Sequence, residues 1–143
     1  QYIMDGDKPQ IIEVMRRVLG NMYSIPANLL TGIDWDYWET RAKCGLSCAE
    51  LPQHLRQEGY YAYKAILAQG NGTVERICLP EKYSKYLIGK CILKKPGDGI
   101  QDYKSQPVGL LFFMFSSMEE MHRVLIEEYV DSMVVMKEVQ GSE

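Results

Sequence analysis

The sequence predicts an α+β fold, a mostly antiparallel sheet with a few helices packed on it. Three observations lead there. Short runs of aromatic and β-branched residues recur between clusters of Gly, Pro, Asn and Asp. Two segments have helical spacing behind a capping residue. Val108 to Phe115 is continuously apolar, as expected of a strand buried on both faces.

Taken in order, Gln1 to Arg17 reads as a hairpin: a strand Gln1–Met4, a turn Asp5-Gly6-Asp7-Lys8-Pro9, and a strand Gln10–Met15. Gly20 through Pro26 is a loop, and Pro26 to Leu30 starts a short helix that Thr31-Gly32 breaks. Asp34 has the character of an N-cap, with Trp35, Trp38 and Ala42 on one face behind it and Gly45 placed to end the helix. Leu46 to Gly59 is irregular. Tyr60–Leu67 is a strand, which Gln69-Gly70-Asn71-Gly72 turns into a second, Thr73–Leu79. Tyr86–Leu93 is the next, closed by Lys94-Lys95-Pro96-Gly97-Asp98-Gly99. Ser117 and Glu120 have capping-box spacing, and Met118, Met121, Leu125 and Tyr129 make one stripe on the helix that follows. A strand over Ser132–Val139 completes the pattern.

With 46% hydrophobic and 24% charged residues, 143 residues suit one ordinary globular domain, and disorder, collagen and coiled coil are excluded. The longest apolar run is far short of the ~20 residues of a membrane helix, so no membrane association is expected. A formal charge of −3 without a basic block makes a nucleic-acid surface unexpected. Cys44 and Cys48 have helical spacing and Cys78 and Cys91 lie apart, which reads as reduced thiols in a cytoplasmic protein, with a disulfide or a metal site as the alternative. His54 and His122 lack ligand spacing to them. The opening at Gln1, without Met and directly in a strand pattern, creates the expectation that the chain begins inside a longer protein.

The first hairpin carries the chemistry. Glu13, Met15 and Arg17 alternate along a strand, so a carboxylate and a guanidinium leave one face. That pair suits a magnesium phosphate, the carboxylate on the hard cation and the guanidinium forked onto phosphate oxygen. Gln1, on the pairing strand, is placed to bring an amide oxygen to the same metal. A surface ion pair is the plain alternative. Trp35, Trp38, Tyr60, Tyr61 and Tyr63 read as core or interface aromatics. The lysines at 82, 85, 90, 94 and 95 read as a solvated face, and Met118, Met121, Met133 and Met136 as gap-filling core.

Gln1-Tyr2-Ile3, the turn, Ile11-Ile12-Glu13-Val14-Met15-Arg16-Arg17 and then Gly20 resemble the last hairpin of the ATP-grasp ligases. That hairpin has Gln or Glu on one strand and E-x-N-x-R on the next. The family includes biotin carboxylase and the large chain of carbamoyl-phosphate synthase. Thr31-Gly32-Ile33-Asp34 is similar to the T-G-x-D that opens a helix in the biotin carboxylase branch, and Glu58-Gly59-Tyr60-Tyr61-Ala62-Tyr63 to the strand after it. Lys94-Lys95-Pro96-Gly97-Asp98, Gly109 and the last helix resemble the small domain that closes many family members.

The resemblance implies that residues 1–32 are the last hairpin and connection of the ATP-grasp core and 33–143 the closing domain. It implies ATP and Mg2+ as cofactors of a longer parent: Glu13 bridging two magnesium ions, Gln1 binding one, and Arg17 as the catalytic group that steadies the transferred phosphoryl. Met15 stands at the family's Asn position, and a thioether is a poor magnesium ligand. The parent would join a small carboxylate to an amine. The residues that hold adenine precede the motif in the family, so the piece alone is expected to be inactive. A homodimer is compatible with this reading. The alternative is a non-catalytic module that binds a ligand or protein, with Glu13 and Arg17 merely paired.

Overall fold

A computed structural model describes residues 2–14, 20, 22–53, 59–129 and 132–137. The chain divides into two compact units, Gln1–Arg56 and Gln57–Glu143. Helices and antiparallel sheets make up both the fold and its class, α+β, as the sequence predicts.

In the first unit, β1 (Tyr2–Asp5) pairs antiparallel with β2 (Lys8–Ile11) across a two-residue loop, Gly6-Asp7. The loop is tighter than the five-residue turn expected. Asp5–Lys8 closes the hairpin as the hydrogen-bonded pair, so the next pair, Met4–Pro9, is the non-bonded kind, and the N–H that proline lacks removes no rung of the ladder.

Two helices follow, α1 (Ser24–Thr31) and α2 (Trp35–Lys43). Residues 31–34 are the joint between them. Gly32 takes a left-handed φ of 69°, and its N–H closes α1 on the Asn28 carbonyl; a side chain there would strain the backbone. The Thr31 hydroxyl accepts from the Trp35 indole Nε1 at 3.0 Å and donates to the Ala27 carbonyl at 2.6 Å. Ile33 is buried, and Asp34 caps α2 by accepting from the Tyr37 N–H at 3.0 Å. Asp34→Ala removes this cap and the favourable charge at the helix start, which costs about 1 kcal/mol. The loss is read from the urea midpoint, and Asp34→Asn, which keeps the acceptor, should recover most of it.

Among its described residues the second unit holds two three-stranded antiparallel sheets. One contains β3 (Tyr60–Ile66), β5 (Leu87–Ile92) and β7 (Gly109–Phe115) in the order β3-β7-β5. The other contains β4 (Gly72–Ile77), β6 (Gly99–Ile100) and β8 (Val134–Met136) in the order β6-β4-β8. The continuous apolar run is the central strand β7. Leu111, Phe113 and Phe115 face the main core, while Leu110 and Phe112 are buried on the other side. Gly109 lies where flanking strands close in: a Cβ there would stand 3.1 Å from the Cys91 carbonyl and 3.2 Å from Ile66 and Ile92 methyls.

The core joins both sheets through Ile66, Val74, Ile100, Phe113 and Met133, with Tyr83 of a 3₁₀ turn (Glu81–Tyr83) and Tyr86 beside them. Met121 and Met136 pack against it as gap-fillers, but Met118 is exposed, contrary to its expected place in the stripe. Further along, the helix also departs from the expected period. α3 (Met118–His122) gives way to a π-type turn over Arg123–Glu127. Its wider turn shifts the face and buries Val124 beside Leu125, a residue the 3.6-residue period leaves out. The expected strand over 132–139 is shorter in the described residues, β8, and 138–139 lie outside them. Of Leu46–Gly59, residues 46–53 form neither helix nor strand, and 54–58, with His54, lie outside the described residues.

Candidate functional site

The hairpin brings Glu13 to the chain segment just after β2. The strand ends at Ile11, not at Met15. The last pair of the hairpin is Tyr2 opposite Ile11, and Ile12 to Val14 belong to neither helix nor strand. Glu13 therefore follows the described strand rather than lying within it. Glu13 itself is exposed. Gln1, Met15, Arg16 and Arg17 lie outside the described residues.

Magnesium takes oxygen ligands and keeps several waters, and is commonly held by one or two carboxylates together with substrate phosphates. An exposed carboxylate such as Glu13 fits that donor set as one ligand. Among the described residues no group of three His, Cys, Asp or Glu could hold a metal without such help. All four cysteines are free thiols, Cys44 and Cys78 exposed and Cys48 and Cys91 half-buried.

Around Glu13 the hairpin is apolar and open. Ile3 is 60% exposed, Ile11 74%, Ile12 65% and Val14 76%. Isolated two-stranded hairpins are marginal in water, and an exposed apolar edge is a template for further pairing.

A second charged cluster lies in the other unit, where the Tyr86 hydroxyl donates to Glu120 Oε1 at 2.8 Å and the Ser116 hydroxyl to Glu120 Oε2 at 2.6 Å. These two hydroxyls, Ser116 first, hold the Glu120 carboxyl below the usual carboxylate range. Arg123 pairs with Glu128 at 3.3 Å, and Lys82 donates to the Glu128 carbonyl. Ser117 caps α3 from Glu120 N–H at 3.1 Å, as its spacing predicts, while the returning carboxylate takes the backbone of Ser116. These bonds account for the cluster as a clamp that ties the π turn to the sheet.

No protein-family model matches the sequence, and no curated protein matches it. A solved structure does match: the crystal structure of an L-amino acid ligase from Bacillus licheniformis is similar to this chain at 23% identity, with a TM-score of 0.71. The likeness covers 95% of this chain and 36% of that one. It establishes an ATP-grasp-like fold. The chain thus spans little more than a third of the ligase's length.

Proposed function

We propose that this chain is the C-terminal part of an ATP-dependent carboxylate–amine ligase of the ATP-grasp kind, inactive by itself, with residues 1–32 as the last hairpin of the ATP-grasp core and 33–143 as the closing domain. The observation that carries the reading is the combination of the ligase-like fold over 95% of the chain with the E-x-M-x-R sequence directly after its hairpin. The open apolar hairpin supports it too, since Ile3, Ile11 and Ile12 would be covered by neighbouring strands in the parent.

In this reading Glu13 holds magnesium on the ATP phosphates, Gln1 adds an amide oxygen, and Arg17 forks onto the phosphoryl group in transfer. Bound magnesium supplies charge neutralisation on the phosphate oxygens. Met15 contributes no ligand, so a second metal would depend on phosphate and water oxygens. The parent takes ATP and a small carboxylate, on the pattern of the amino acid named in the neighbour's title, and acts in the cytoplasm. A relation to the biotin carboxylase branch rests on the T-G-x-D joint, Thr31 to Asp34.

Calorimetric titration of the 143-residue chain with Mg-ATP tests the division of labour. The expected result is no measurable binding, because a carboxylate and a guanidinium alone leave the adenine unheld. Clear micromolar binding would overturn it.

A further inference from the structure

We infer that the second unit binds a small carboxylate bearing a short apolar group, in a cavity between the core-facing side of β3 and the loop around Tyr103. The inference does not rest on the ligase reading, because it concerns residues remote in sequence from the hairpin and needs neither ATP nor metal.

The cavity has a volume of about 440 Å³, within the ~300–1,000 Å³ of small-molecule sites. Its floor is apolar: Ile66, Ala68 and Met133 are all among the buried core residues. Its polar groups are Lys64, Gln69, Tyr103, Lys104 and Tyr129. An apolar floor beside polar groups can orient a small ligand.

Lys64 is the residue that asks for a ligand. On β3 it shares a face with Ala62 and Ile66, both part of the core side, and lies opposite Leu111 of β7. The residue is half-buried, and its ammonium sits 4.1 Å from the centroid of the Tyr129 ring. Among the described residues no carboxylate pairs with Lys64 or with Lys104. Ring faces attract cations but do not neutralise them. An inward-facing lysine on an edge strand also discourages sheet-to-sheet pairing, yet that role explains neither the cavity nor the second lysine at its rim.

The opposite wall is built rather than loose. Tyr103 N–H donates to Asn71 Oδ1 at 3.0 Å, and the Gln106 amide oxygen accepts from Gln101 N–H at 3.1 Å. This holds the 101–106 loop against the β3–β4 turn. Among the described residues that line it there is no arginine fork and no helix start, the usual holders of phosphate. A carboxylate placed between Lys64 and Lys104, with its apolar group on Ile66 and Met133, satisfies both halves of the site.

The test uses the ¹⁵N-labelled chain titrated with 3-phenylpropionate, with neutral 3-phenylpropionamide and inorganic phosphate as comparison probes. The acid should shift the amides of Lys64 to Gln69, Tyr103 and Lys104 saturably in the millimolar range, and the amide should bind about tenfold more weakly. Lys64→Met, which keeps the apolar stem, should weaken the acid by a similar factor and leave the amide unchanged. Lys104→Met, on the exposed loop, gives the same comparison should Lys64→Met fail to fold. Equal binding of acid and amide, or no saturable shift, overturns the proposal. So does undiminished acid binding in the folded lysine variant, or phosphate binding as tightly as the acid.

Discussion

Phe113→Ala should destabilise the second unit by about 3–5 kcal/mol. Phe113 is fully buried at the centre of β7, between Ala62 of β3 and Leu87 of β5. Its ring meets Tyr83 edge-on with centroids 6.0 Å apart and lies 6.0 Å from Phe115. Truncation removes the transfer energy of the ring and leaves a void whose walls are strands held in register, so relaxation recovers little of it. A domain with an ordinary margin of ~5–15 kcal/mol then loses a large share of its stability. Urea denaturation reads the effect as a lower midpoint at unchanged slope. A loss below about 1 kcal/mol would show that the walls collapse onto the site.

Glu13→Gln should have the opposite profile, a severe loss of function with little change in stability. Glu13 is exposed and lies past the last pair of the hairpin, and substitutions of that kind change stability by about ±0.5 kcal/mol or less. A neutral amide keeps the shape of the side chain but removes the charge that a hard divalent cation requires. In phosphoryl transfer the metal neutralises charge that develops on phosphate oxygens, and loss of one such electrostatic contact costs on the order of 10²–10³-fold in rate. Thermal unfolding of the variant should match the parent within a degree or two, so that the rate loss reports chemistry.

How far the sequence was legible varied with the kind of signal. Local punctuation placed β3, β4, β5 and β7 within about two residues, because Gly59, the Gln69–Gly72 turn and the Lys94–Gly99 turn stop the strands by their own backbone preferences. Caps at Asp34 and Ser117 were equally readable, since one side-chain oxygen and one N–H decide them. What pairing decides was not readable. The register across Gly6-Asp7 is set by pairing, and β6, two residues long, is a strand only because Gly72 and Thr73 stand opposite it. The partition into β3-β7-β5 and β6-β4-β8 is likewise a matter of contacts distant in sequence.

The candidate sites differ in the same way. Glu13 stood out because of the residues around it in the chain. Lys64 did not, although its alternation with Ala62 and Ile66 could have marked it as a cation on a core-facing row; the cavity beside it exists only once the loop around Tyr103 and the ring of Tyr129 come together in space. The shift of the last helix into a π turn has no sequence signal that we recognise, and the burial of Val124 could not be read in advance.

We propose Glu13 as a metal-bearing residue of a ligase. It is tested most directly by ADP release from the longer protein that carries this chain, measured with ATP, magnesium and a panel of amino acids, for the native sequence and for Glu13→Gln. The account predicts release that depends on a carboxylate substrate in the native protein and falls on the order of 10²-fold or more in the variant. Undiminished carboxylate-dependent release in a folded Glu13→Gln protein would contradict it.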